Sequence, residues 1–373
     1  MSFLKKGYEE LWKAIIRPPR EVYDPLDLGP AEFSLENKTF QRTDLDLYNS
    51  RGLRLACSHF EPIREERVSE KLPCVIYLHG NSSSRLEALT ATQVLLPVNI
   101  TVFCLDTSGS GLSEGDFISL GWYERDDLST VVEFLRVSGK VSCIGLWGRS
   151  MGAATSLLHG DRDPSIAGMV IDSPFCSLSR LSDELARTYS KIPGFIVSVA
   201  KSMIRKTIKK KAGFNINDLE PIDHVNKCFI PAMFICANGD MLISPSHTHD
   251  LYAKYAGDKS LSIVEGDHNS ARPQYVLDSI AIFFYNTLQC ESISSQAKIG
   301  NLLIKTGEEE LIYDDNKNRE HLNSSYVDSI NIFSDGLFGP DNENKQNLAN
   351  LSVPMVQKVE PKKEVQNVNL LDL

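Results

Sequence analysis

The stretch from Lys140 to Leu158, KVSCIGLWGRSMGAATSLL, leaves a folding chain few choices. An apolar run from Val141 to Trp147 stops at Gly148, and an Ala/Leu segment of helical character starts just after Ser150. At the join stands Gly148-Arg149-Ser150-Met151-Gly152, the G-x-S-x-G pattern in which a strand turns sharply into a helix with a serine at the apex. Gly148 and Gly152 are needed because a side chain at either place would meet the neighbouring helix or strand. A serine held this way projects its hydroxyl above the C-terminal edge of a sheet, with a helix N-terminus beneath it. The pentapeptide alone can arise by chance. The strand before it and the helix after it give it weight.

The flanking chain supplies such a sheet. Apolar strands are expected at Cys74–Leu78, Ile100–Leu105, Val141–Trp147, Ala167–Ile171, Ile230–Ala237 and Leu261–Val264, with helix-length segments such as Leu86–Leu96 and Trp122–Val137 between them. Strands so uniformly apolar are buried on both faces, which predicts an α/β fold with a mostly parallel sheet flanked by helices. Ahead of them, Phe40–Tyr48 and Leu53–Phe60 read as a hairpin turning at Asn49-Ser50-Arg51-Gly52. At 373 residues the chain has room for this one large domain and additional segments. We place the domain at 35–289, after an N-terminal helix and linker at 1–34.

Those segments have their own character. Residues 3–17 put Leu4, Tyr8, Leu11, Trp12 and Ile15 on one helical face, and Pro18-Pro19 ends the helix. That face either packs on the chain's own body or forms an interfacial membrane anchor carrying Trp12. An insert at about 176–221 breaks the strand–helix alternation. It carries a helix with Phe195, Ile196, Val199, Ala200, Met203, Ile204 and Ile208 on one face and Lys201, Arg205, Lys206, Lys209, Lys210 and Lys211 opposite. It reads as a helical lid, its cationic side either solvated or turned toward an anionic membrane or lipid-bearing substrate (the segment at issue is 195–211). Residues 290–373 are rich in Asn, Ser, Asp, Glu and Lys without a sustained period, which predicts a disordered tail. Its final Asn369-Leu370-Leu371-Asp372-Leu373 resembles short adaptor-docking peptides, a candidate contact for a protein partner.

Charge and cysteines narrow the setting. A net charge of -10 argues against a general nucleic-acid binder. The eight cysteines are scattered, with no C-x-x-C, and several lie in apolar strand-like runs. They read as reduced buried thiols, hence a cytoplasmic protein or one peripheral to the cytosolic face of a membrane. No stretch reads as a membrane span or signal-peptide core, and Ser2 excludes glycine myristoylation.

A serine hydroxyl needs a base, and the base needs an orienting partner. In the G-x-S-x-G layout the order along the chain is serine, acid, histidine. Asp240 follows the apolar strand ending Ile235-Cys236-Ala237, and His268 follows Val264-Glu265-Gly266-Asp267 just before the last expected helix. Ser150, Asp240 and His268 therefore fall at the C-terminal rim of a parallel sheet, where such sites occur. Asp172 and Asp267 are competing acids near that rim, and Asp172 better suits holding loop geometry. The oxyanion of an acyl-transfer intermediate needs N–H donors. The backbone N–H of Met151 is one, and that of Asn81, with Gly80 allowing close approach, is the expected second. His79 is placed to brace that loop rather than to act as a second base. Asp106-Thr107-Ser108-Gly109-Ser110-Gly111 resembles a phosphate loop, and its place after a strand equally suits a rim loop. His247 and His249 lack partners at metal-ligand spacing, so no metal is expected. No G-x-G-x-x-G or P-loop points to a nucleotide cofactor, and no cofactor of any kind is expected.

As an ordered set, HGNSSSR at 79–85, DTSGSGLSEG at 106–115, GRSMG at 148–152, DSPF at 172–175, the Asp240 loop and GDHN at 266–269 resemble the α/β-hydrolase superfamily over roughly residues 35–288. Within it the chain looks like the serine aminopeptidase-type group that includes bud-emergence-type hydrolases and protein depalmitoylases. RKTIKKKAGF and GDHNSARP look closer still to a poorly characterised eukaryotic subgroup. The resemblance implies Ser150 as nucleophile, Asp240 as acid and His268 as base, in agreement with the residues read alone. The depalmitoylases carry a lipidated cysteine-rich N-terminus, whereas this chain has no cysteine before Cys57. The expected activity is a serine hydrolase acting on an ester or thioester, of an acyl lipid or acyl-protein. The alternative is a hydrolase-like scaffold recruiting partners through its tail and basic helix.

Overall fold

The computed structural model describes residues 2–189 and 194–292. The side chains of 2–7, Leu11, 188–198 and Ser292 lie outside that description, as does the segment 293–373 with the expected disordered tail and its terminal leucine peptide.

A nine-stranded sheet forms the centre. Its strands are β1 (Glu32–Leu35), β2 (Lys38–Tyr48), β3 (Arg54–Pro62), β4 (Leu72–Leu78), β5 (Thr101–Leu105), β6 (Val141–Arg149), β7 (Gly168–Asp172), β8 (Ala232–Ala237) and β9 (Lys259–Val264), in spatial order β1-β2-β3-β5-β4-β6-β7-β8-β9. The strands from β5 through β9 pair in parallel, while β1, β2 and β3 form an antiparallel flank joined to β5. Parallel neighbours need crossovers, and helices supply them: α2 (Ala88–Leu95), α3 (Glu124–Val137), α4 (Met151–Gly160), α7 (Pro245–Lys254) and α8 (Gln274–Thr287), numbered to leave α1 for the N-terminal helix and α5 and α6 for the insert. This is the expected architecture.

The alternation of side chains along β4 shows how both faces are filled. Val75 and Tyr77 pack with Val94, Leu95, Ile280 and Phe284 of α2 and α8, whereas Cys74, Ile76 and Leu78 pack with Leu128, Val131, Ala153 and Leu157 of α3 and α4. All eight cysteines are free thiols, and all are buried except the half-buried Cys143. Burial pushes the Cys74 thiol up to about 12, so it packs as a neutral side chain.

One boundary differs from expectation. Strand β1 begins at Glu32, inside the segment assigned to the linker, and pairs with β2 from Glu32↔Gln41 to Leu35↔Lys38. Its two-residue turn, Glu36-Asn37, has positive φ at both positions (54° and 113°). Such a turn normally declares itself by Asn-Gly or Asp-Gly, and Glu36 gives no such signal. The N-terminal helix, α1 (Ser2–Ile16), takes the first of its two expected roles and packs on the body of the protein. Trp12 and Ile16 are buried with Phe175, Ile204, Ile208 and Ile243, so Trp12 is not available as an interfacial anchor. This follows from area: a buried tryptophan contributes more than almost any other side chain.

The insert forms two helices, α5 (Leu178–Tyr189) and α6 (Gly194–Ala212). Of the apolar face expected on α6, Ile204 and Ile208 are buried, but Val199 and Met203 are exposed, while Phe195 and Ile196 lie outside the described side chains. The reason is the docking of α1, whose Tyr8 hydroxyl donates to the Met203 carbonyl (3.0 Å) and meets Thr207 Oγ1 (2.5 Å), rotating the 199/203 edge outward. Among the described residues no helix is long and apolar enough to cross a membrane.

Candidate active site

The site is built from the ends of β4, β6, β8 and β9. At the end of β6, Ser150 takes φ 53° and ψ -112°, a strained conformation for a non-glycine residue, costing on the order of 1–3 kcal/mol. Two glycines make the bend fit. A Cβ at Gly148 would stand 2.2 Å from the Gly152 carbonyl oxygen, and one at Gly152 would stand 2.0 Å from that of Leu78. The Ser150 N–H donates to the Asp172 carbonyl of the neighbouring strand (2.8 Å), and α4 begins at once with Met151. The pentapeptide thus forms the strand–turn–helix elbow its sequence predicts.

Ser150, Asp240 and His268 converge. His268 Nε2 lies 3.0 Å from Ser150 Oγ and Nδ1 lies 2.6 Å from Asp240 Oδ2, with all three residues buried. The geometry calls for Nδ1–H donating to Asp240 and Nε2 accepting the serine proton. Asp240 is anchored in turn, its Oδ1 accepting the N–H groups of Leu242 (2.9 Å) and Ile243 (2.8 Å).

The competing acids have other partners. Asp172 accepts a forked pair of bonds from Arg272, Nε to Oδ2 at 2.9 Å and Nη2 to Oδ1 at 2.8 Å. Asp267 closes its own turn, accepting from the Asn269 N–H (2.9 Å) and Ser270 Oγ (2.8 Å). Partial burial would raise its pKa, but bonds from Ser270 and Asn269 hold it below the usual carboxylate value. Neither faces the imidazole of His268 as Asp240 does.

Around the elbow, His79 braces its loop: Nδ1 donates to the Gly80 carbonyl (2.7 Å) and Nε2 accepts the Thr107 N–H (3.1 Å). Asp106 is a buried knot. It accepts from the Tyr23 hydroxyl (2.7 Å), the Arg85 N–H (2.7 Å) and the Leu112 N–H (2.8 Å), which fixes the rim loop 106–112. Asn81 is half-buried, and its side-chain oxygen has no protein partner.

Sequence reasoning missed an ion pair that ties the rim together. Glu87 accepts from Arg149 Nη1 (2.9 Å) through one oxygen and from the Gly80 N–H (3.1 Å) through the other. The second guanidinium nitrogen, Nη2, donates to the His268 carbonyl (3.2 Å) and to Asn269 Oδ1 (2.7 Å). The Gly80 loop, the elbow and the His268 loop therefore share one charged bracket. A charge at Arg149, inside so tight a turn, was the available hint that a carboxylate must lie near.

His247 and His249 part company. His249 is exposed, whereas His247 is buried, its Nε2 donating to Glu184 (2.9 Å) and its Nδ1 accepting the Cys176 N–H (3.1 Å). Among the described residues no cluster of His, Cys, Asp and Glu is arranged to hold a metal ion.

Comparison with known proteins agrees with this fold. Residues 69–212 match the family described as "Serine aminopeptidase, S33", and residues 148–303 match "PhoPQ-activated pathogenicity-related protein". An uncharacterized Bacillus subtilis protein, YqkD, is 31% identical over 200 residues, 52% of this chain and 64% of its own length. The chain therefore spans just under two thirds of that relative. Among solved structures, the Pyrococcus furiosus esterase Pf2001 superposes with a TM-score of 0.56 at 21% identity, covering 73% of this chain and 98% of that one. The Paenibacillus sp. R4 acetyl xylan esterase gives 0.54 at 13% identity, over 77% of this chain and 94% of its own. Est1E of Butyrivibrio proteoclasticus, with ferulic acid bound, gives 0.51 at 18% identity, over 66% of this chain and 99% of its own. The sheet order, the elbow and the likeness to these solved structures together show that the chain has the α/β-hydrolase fold.

Proposed function

We propose that the protein is a serine hydrolase that cleaves an ester or thioester, of an acyl lipid or an acyl-protein, through an acyl-Ser150 intermediate. The observation that carries this reading is the continuous relay Asp240–His268–Ser150, with links of 2.6 and 3.0 Å, at the apex of a strained elbow. Esterases among the proteins of similar fold support the ester reading, although fold alone does not fix the leaving group.

The chemistry follows from the atoms present. As Ser150 Oγ bonds to the carbonyl carbon, its proton passes to His268 Nε2, and Asp240 stabilises the imidazolium through Nδ1–H. The carbonyl oxygen becomes an oxyanion facing the N–H groups of Met151 and Asn81, each of which contributes about 3 kcal/mol if it behaves like a typical oxyanion donor. Collapse breaks the bond to the alcohol or thiol, which leaves with the proton from His268. Water then attacks the acyl-serine, His268 takes its proton and returns it to Ser150, and the carboxylic acid departs.

Replacing Ser150 with alanine should lower turnover by about four to six orders of magnitude. Labelling with a fluorophosphonate probe, alongside hydrolysis of p-nitrophenyl esters, tests the assignment. Equal labelling of the native protein and Ser150→Ala overturns it.

A further inference from the structure

We propose that the outward edge of α6 is a docking surface for an anionic lipid bilayer. Val199, Met203, Lys206 and Lys210 follow one another at i, i+4, i+7 and i+11, which places them on a single stripe of the helix. All are exposed, Val199 by 60% and Met203 by 52%, although valine and methionine are ordinarily buried. Lys209 and Lys211 flank the stripe. Lys211 Nζ lies 4.5 Å from the centre of the Trp12 ring and Lys13 Nζ lies 5.8 Å from it, so the cationic border continues onto α1.

The charge is local and against the trend. The whole chain carries -10, yet along this edge lysines gather, with Lys201 paired to Asp183 and Glu9 and Glu10 on the half-buried side of α1. An acidic protein that concentrates cations on one helix creates a directed field rather than a uniform one.

The mixture of residue types selects the occupant. A polyanion such as nucleic acid offers phosphates but nothing for Val199 and Met203. A bilayer surface offers both: acyl-chain boundary for the apolar half and anionic headgroups for the lysines, whose stems lie along apolar surface while their ammonium groups reach the headgroups. The helix stays folded without this contact, because its inner face, with Ile204 and Ile208, is committed to the core shared with Trp12, Phe175 and Ile243. Phe175 and Ile243 belong to the loops after Asp172 and Asp240, so a bilayer meeting α6 would lie on the insert that packs against the loops of the candidate active site. The docking surface stands independently of the hydrolase reading, since binding is measured without turnover.

The test is co-sedimentation of the full chain, and of its Ser150→Ala form, with phosphatidylcholine vesicles with and without phosphatidylserine. Binding is expected only with phosphatidylserine and should fall with added salt. Each lysine at such a surface contributes about fivefold in partitioning, so Lys206→Gln with Lys210→Gln should weaken binding about 25-fold. Val199→Ser with Met203→Ser should weaken it by about tenfold, with melting temperature unchanged in both pairs. Equal binding to neutral and anionic vesicles overturns the proposal, as does binding that neither pair of substitutions alters. Loss with the lysine pair alone, or equal capture by polyglutamate, rejects the lipid occupant in favour of a purely ionic contact.

Discussion

Two aspartates end adjacent strands of the sheet, and they serve opposite ends. Asp172 closes β7 and Asp240 follows β8, both with side chains almost wholly buried. Asp172 is gripped at both oxygens by Arg272, a partner that never loses its charge. Asp240 divides its oxygens, one held by two backbone N–H groups and the other facing His268, a partner whose charge can change. Burial and rim position are alike, so the partner decides the role. A carboxylate spent on a permanent cation has become architecture. One fixed by backbone and facing an imidazole remains available for chemistry.

The sharpest way to break this contrast is Asp240→Asn. It keeps shape but favours the wrong imidazole tautomer, and turnover should fall about ten-thousandfold with little change in melting temperature. Steady-state ester hydrolysis beside a thermal melt reads both. If activity survives, the acid has been wrongly chosen.

Asp172→Asn should do the reverse. It strands the buried guanidinium of Arg272 and should cost about 3–5 kcal/mol in denaturant-unfolding experiments, while the folded fraction still hydrolyses ester far faster than Asp240→Asn. Adding Arg272→Gln should restore part of that stability, because both charges are then gone. A stability loss at Asp240 equal to that at Asp172 would erase the distinction.

Smaller effects are expected at the bracket joining the rim loops. Glu87→Gln or Arg149→Lys loosens the alignment of the Gly80 loop, the elbow and the His268 loop, and should lower kcat by up to about a hundredfold without removing Ser150 labelling. A change confined to stability would show the pair to be structural only.

Much of this was legible in the sequence because the informative patterns are local. An apolar run followed by a glycine-bounded serine specifies strand, turn and helix within a few residues. The placing of Asp240 and His268 after apolar strands puts them on the same rim. What was missed depends on partners far apart in the chain. Glu87 and Arg149 are separated by 62 residues and Asp172 and Arg272 by 100, and no periodicity connects either pair. Strand β1 escaped notice because Glu36 occupies a turn position with positive φ usually given to Asn, Asp or Gly. The outward turn of Val199 and Met203 was hidden for another reason: α6 has apolar residues around much of its girth, and only the docking of α1 decides which of them face inward.

The elbow and its imidazole are separated by 118 residues of chain. During synthesis, β6 and α4 emerge with the serine long before β8, β9 and the loop bearing His268 exist. The turn itself draws on β7, whose Asp172 carbonyl accepts the Ser150 N–H, and its hydroxyl has no base until the His268 loop is in place. The Asp240–His268–Ser150 relay is therefore complete only when the far edge of the sheet has closed.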